Sequence, residues 1–129
     1  MVIDAIRRFF ASRDDVAAAW VFGSEARGTA RAASDVDVAV LLRRDPERTL
    51  LDSVPAALEE DLTRVCGGRR VDVVLVNRAS PDLVHRVLRD GVLVAEHDRS
   101  RRVAFEVKKR NEYFDLKPHL DRYRAAVLR

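Results

Sequence analysis

The sequence predicts an α+β domain of mixed α/β character with a helical C-terminal extension. Three observations carry this: short runs rich in β-branched residues, amphipathic segments alternating with them, and a continuously helical pattern beyond Asp98. At 129 residues the chain suits one domain with one sizeable core. Its division reads as a core over residues 1–97 and an extension over 98–129, with no internal repeat, low-complexity segment or linker.

Ile3, Ile6, Phe9 and Phe10 recur at helical spacing, so residues 2–12 form an amphipathic first helix. "AAAWVF" at 17–22 is an apolar run ending at Gly23, the pattern of a strand buried on both faces. "VDVAVLL" at 36–42 and "VDVVLV" at 71–76 read as two more strands, the latter after the turn signal Gly67-Gly68. Between them "SVPAALEEDLTRVCG" is helical, with Ser53 as N-cap and Pro55 in the first turn; a start near Pro46 would instead put a kink at Pro55. Ser80-Pro81 opens the next helix and Gly91 stops it, followed by a short strand "VLVAE" at 92–96. Helical spacing resumes at Asp98, breaks at Pro118, and returns in a last short helix holding Leu120, Tyr123 and Val127.

The lone Cys66 cannot form an internal disulfide and reads as a small buried apolar residue in a reducing, cytoplasmic setting. "VIDAIRRFFASR" near the start mixes charge with apolar residues, unlike a signal-peptide core. No apolar stretch approaches the roughly 18–20 residues of a membrane span, so no membrane partner is expected. Charge is uneven: residues 1–98 carry 14 Lys+Arg against 17 Asp+Glu, whereas 99–129 carry 10 against 4. A basic tail on an acidic body suits an acidic partner surface, a nucleic acid or merely a solvated helix face. The basic region lacks an aromatic stacking pattern, which argues against direct nucleic-acid binding.

The most informative stretch is "GSEARGTARAASDVD" at 23–37. Residues i and i+2 of a strand share a face, so Asp35 and Asp37 stand side by side, opposite the apolar Val36, Val38, Val40 and Leu42. Two such carboxylates repel unless a cation neutralises them. Asp72 opens "VDVVLV" in the same context, and three carboxylates at neighbouring strand ends offer the oxygen ligands that Mg²⁺ prefers. Two metals roughly 3.5–4 Å apart at such a site would stabilise both oxygens of an in-line displacement at phosphorus. Upstream, Gly23 ends a strand and Ser24 caps a short helix, presenting backbone N–H groups and a hydroxyl to a phosphate.

Gly23-Ser24, ten residues, then Asp35-x-Asp37 resembles the signature of the nucleotidyltransferase superfamily that includes DNA polymerase β. The fuller "GSEARGTARAASDVDVAV" is similar to its minimal nucleotidyltransferases, and "FEVKKRNEYFDLKPHL" at 105–120 is similar to the ending of MntA-type antitoxins, encoded beside HEPN ribonuclease toxins. The resemblance implies a nucleotidyltransferase fold, a small mixed sheet flanked by helices. It also implies ATP as substrate with Mg²⁺, two ions, and AMP transfer with release of pyrophosphate. The implied acceptor is a tyrosine of a partner HEPN-type toxin, which the transfer neutralises. Carried over by position, Gly23 and Ser24 hold the triphosphate. Asp35 and Asp37 ligate metal, and Asp72 completes the metal site and helps deprotonate the acceptor. Arg27 is a further phosphate contact or an ordinary exposed arginine.

Two other readings stay open. One is nucleotide transfer to a small molecule or to RNA; the other is an antitoxin that masks its toxin without catalysis. His85 reads as a packing or surface residue, Trp20 as core, and Tyr113 and Tyr123 as core or interface.

Overall fold

The computed structural model describes residues 2–29, 31, 34–50 and 53–127. In chain order the elements are α1 (Val2–Phe10), β1 (Val16–Phe22), α2 (Ser24–Arg27), β2 (Val36–Leu42), α3 (Ser53–Val65), β3 (Val71–Leu75), α4 (Pro81–Asp90), β4 (Val92–Glu96) and α5 (Arg99–Val127). Short 3₁₀ turns at Arg48–Leu50 and Val76–Arg78 precede α3 and α4. The strands form one mixed sheet in the order β3-β2-β1-β4, with β2 and β3 parallel and the other pairs antiparallel.

Helices cover both faces, which is why β1 and β2 carry apolar residues on both sides. On one face Val36, Val38, Val40 and Leu42 join Ile6 and Phe10 of α1 and Leu58 and Leu62 of α3. On the other, Ala39 and Leu41 meet Trp20, Val84 and Val87 of α4, and Phe105 of α5. Ala17, Ala18 and Ala39 leave the room that the Trp20 indole fills. The outer edge of β3 is not left bare: Val71 N–H donates to Thr63 Oγ1 at 3.1 Å and Val73 N–H to Glu59 Oε1 at 2.9 Å. Side chains of α3 thus satisfy donors that an edge strand would otherwise expose.

The start of α4 matches its sequence signals: Ser80 Oγ accepts from Leu83 N–H at 3.3 Å and Pro81 opens the helix. At its end Gly91 is not left-handed (φ −79°), as a glycine stop would suggest; its N–H donates to the Val87 carbonyl at 2.7 Å, and a Cβ there would overlap that oxygen. α3 begins at Ser53, which leaves Pro55 in the first turn, so the kinked alternative from Pro46 is not formed. Ser53 lies inside the helix rather than capping it, its hydroxyl donating to the Leu50 carbonyl at 3.4 Å.

The largest departure is α5, which runs straight through Pro118 as one 29-residue helix. The missing proline N–H frees a carbonyl at Phe114, where exposure lets water replace the bond. Across the position Lys117 pairs with Asp121 at 2.8 Å, and Arg122 Nε donates to the Pro118 carbonyl at 3.3 Å. No helix among the described residues is long and apolar enough to cross a membrane.

Candidate active site

The site begins where β1 ends. Gly23 adopts φ 73° and ψ −151°, a conformation open essentially to glycine alone. That sharp turn starts α2, and Arg27 N–H closes the first helical bond on the Gly23 carbonyl at 3.1 Å. Gly23, not Ser24, occupies the N-cap, and no side chain caps the helix. Ser24 is therefore the first helical residue, which corrects its assignment as the cap; its hydroxyl is not used for that purpose. A left-handed Gly28 ends the turn, and Thr29 N–H returns to the Ser24 carbonyl at 3.0 Å.

β2 lies beside this turn, with Phe22 opposite Asp37 in the antiparallel register. A Cβ on Gly23 would overlap Asp37 Oδ2, so the glycine lets this carboxylate approach the turn's backbone. Parallel pairing puts Asp37 directly opposite Asp72 on β3. Their neighbours Val36, Val38, Val71 and Val73 all belong to the core on the α1–α3 side, so both aspartates share the opposite face. Asp35 precedes β2 and is exposed. The three acids form an electrostatic unit: burial, then the charges of Asp72 and Asp35, push the Asp37 carboxyl above its ordinary value, with Arg27 pulling the other way.

A cleft of about 390 Å³ opens in front of Asp37, walled by Phe22, Gly23, Arg27, Leu83, Arg86, Arg89 and Asp90. Arg86 and Arg89 come from α4 and were not singled out from sequence. Their i, i+3 spacing, with Val84 and Val87 buried, was a signal that one helix face aims two cations the same way. Arg89 is steadied by Asp90 through Nε–Oδ1 at 3.1 Å and Nη2–Oδ2 at 2.9 Å, and these hydrogen bonds hold Asp90 below the usual carboxylate range. The cleft thus gathers Arg27, Arg86 and the Asp90-paired Arg89 around Asp37.

The donor set fits a hard divalent cation in kind: all oxygen, and repulsive without a counter-charge. Among the described residues, however, no three His, Cys, Asp or Glu side chains converge on one metal position. Asp72 Oδ1 sits 3.3 Å from Arg70 Nε in an exposed ion pair. Trp20 and Cys66 are buried, and burial raises the Cys66 thiol. His85 stacks on Tyr113 with ring centroids 3.8 Å apart. Tyr123 is exposed.

A mixed sheet with helices on both faces, a glycine-kinked strand–helix turn, and an aspartate against that turn in register with a second on the parallel strand together define the nucleotidyltransferase class of fold. Residues 4–100 match the family described as Polymerase beta, Nucleotidyltransferase, and the chain belongs to that family. A search of curated proteins gives no match. Among solved structures, a proposed minimal nucleotidyltransferase is 38% identical, with 70% of this chain and 86% of that one covered and a TM-score of 0.53. A chain of a toxin–antitoxin structure with AMP-PNP is 23% identical over 100% of both chains, TM-score 0.76. A chain from the complex of tri-AMPylated Shewanella oneidensis HEPN toxin with MNT antitoxin is 20% identical over 100% of both, TM-score 0.75.

Proposed function

We propose that the protein is a metal-dependent adenylyltransferase that moves AMP from ATP to a tyrosine of a HEPN-type toxin, acting as its antitoxin. The observation that carries this reading is Asp37, set against the Gly23 turn and in register with Asp72, in a cleft that Arg27, Arg86 and Arg89 also line. The arginines and Ser24 hold the triphosphate, orienting its α-phosphorus toward the carboxylates. The acceptor hydroxyl oxygen bonds to that phosphorus, the bond to the β-phosphate oxygen breaks, and pyrophosphate leaves. Asp72 takes the hydroxyl proton once free of Arg70. Mg²⁺ held by Asp35, Asp37 and Asp72 would supply the positive charge that offsets theirs and polarise the reacting oxygens. The likeness to a chain from a complex whose toxin is tri-AMPylated, and to one solved with AMP-PNP, supports the same chemistry here.

Calorimetry tests the nucleotide site. ATP is expected to bind only with Mg²⁺ or Mn²⁺, and Ser24→Ala and Arg86→Ala should each weaken binding by about tenfold, the scale of one hydrogen bond to a charged group. Metal-independent binding, equal in wild type and both variants, would overturn the assignment.

The partner surface is assigned to α5, with one restriction from the fold. Phe105 lies in the core, so the helix cannot be removed after Glu96 without opening the cluster around Trp20. The free surface is the stripe Val103, Val107 and Phe114, spaced i, i+4, i+11 and 43%, 47% and 59% exposed. With the basic residues around it, this stripe suits a partner that is apolar at its centre and acidic at its rim. Val107→Asp with Phe114→Asp is expected to weaken the toxin complex at least about tenfold in biolayer interferometry, with an unchanged melting temperature. Unaltered affinity would move the interface elsewhere.

A further inference from the structure

We propose that Arg69 is a positioning residue that clamps both halves of the active-site loop to the sheet, an inference that rests on the nucleotidyltransferase reading for its kinetic part alone. Arg69 belongs to the turn between α3 and β3, outside the cleft, and no site motif includes it. Its Nη1 donates to Glu25 Oε1 at 2.6 Å, with both side chains only about one-fifth exposed. Its Nη2 donates to the Ser34 carbonyl at 2.9 Å and reaches the Arg31 carbonyl at 3.4 Å. Glu25 directly follows Ser24, and Ser34 directly precedes Asp35. One guanidinium therefore fixes the first residue after the phosphate-binding serine and the last before the first carboxylate.

The neighbouring backbone makes the same tie from the other side, since Val36 N–H donates to the Arg70 carbonyl at 2.9 Å. Asp72 stands three residues beyond Arg69, so the clamp also sets loop and third carboxylate in one frame. α2 is a single turn without a side-chain cap, too short to hold its own orientation. A planar fork is needed because the acceptors, the Glu25 carboxylate and the carbonyls of Arg31 and Ser34, lie on different segments; an ammonium at one point could not serve both segments well.

The test compares Arg69→Ala, Arg69→Lys and Glu25→Gln in the full chain by hydrogen exchange, ATP titration with Mg²⁺ and AMP-transfer kinetics. Arg69→Ala is expected to speed exchange of amides over residues 24–36 selectively, while β1 and β4 stay protected. The KM for ATP should rise about tenfold or more with a smaller fall in kcat, since the loop is misplaced rather than its chemistry removed. Arg69→Lys should restore only part of this loss. Glu25→Gln, which leaves the carbonyl bonds intact, should show a milder version and serves if Arg69→Ala fails to fold. Exchange that rises uniformly across the chain, or a lysine variant indistinguishable from wild type, would overturn the clamp. If wild type transfers no AMP, the functional reading fails, and hydrogen exchange with ATP titration still decides the role of Arg69.

Discussion

Replacing both Asp35 and Asp37 with asparagine is expected to lower AMP transfer by at least about 10²-fold without unfolding the protein. Asparagine keeps the shape of aspartate but cannot hold a divalent cation by charge. The effect on stability has a definite sign. Burial and the neighbouring charges of Asp72 and Asp35 raise the Asp37 pKa in the folded state. Between the unfolded value and this raised one the folded chain binds more protons than the unfolded chain, so stability falls as pH rises through that window. Above it the destabilisation is fully present, and Asp37→Asn should relieve it. Urea melts from about pH 3 to 7 should show wild type losing stability across the window relative to Asp37→Asn. Adding Mg²⁺ should raise the wild-type melting temperature and leave the double variant unmoved. A double variant that labels the toxin with [α-³²P]ATP as well as wild type would end the enzyme reading. One that neutralises the toxin in cells without labelling it would favour masking.

Gly23→Ala is the second large effect. Alanine at φ 73° and ψ −151° stores strain of about 1–3 kcal/mol, and its Cβ would collide with Asp37 Oδ2. The strain lowers the melting temperature, and the collision displaces the carboxylate that faces the cleft. Transfer should therefore drop by about 10²-fold or more, beyond what destabilisation explains. Gly28→Ala separates the two causes. Gly28 is also left-handed, at φ 72°, but a Cβ there meets nothing within 4 Å. It should cost about 1–2 kcal/mol of stability and leave transfer largely intact. Equal activity losses in the two variants would mean that the contact with Asp37 is not what Gly23 protects.

Much of this architecture was legible because each element states its own pattern. β-branched runs made β2 and β3, Ser80-Pro81 marked the start of α4, and Asp35-x-Asp37 behind Gly23-Ser24 pointed to the site. Ends set by long-range geometry were less so. Pro118 reads as a break on local grounds, yet α5 continues, with the freed carbonyl facing solvent and the Lys117–Asp121 ion pair straddling the proline. Ser24 reads as a cap, yet the chain turns at Gly23, whose φ of 73° and ψ of −151° put the glycine at the N-cap.

The sequence by itself determined the alternation of strands and helices, the burial of both faces of β1, and the two acids beside the Gly-Ser turn. These depend on periods of 2 and 3.6 residues and on local backbone preferences, which a short window contains. Only the tertiary structure decided that Asp72 lies opposite Asp37, that Arg86 and Arg89 line the cleft in front of Asp37, and that Arg69 reaches Glu25 and Ser34. Those relations join segments 35 to 52 residues apart, through parallel register and the packing of α4 on the sheet. Pairing register and helix docking are fixed by which apolar faces bury one another, and no local stretch of chain carries that information.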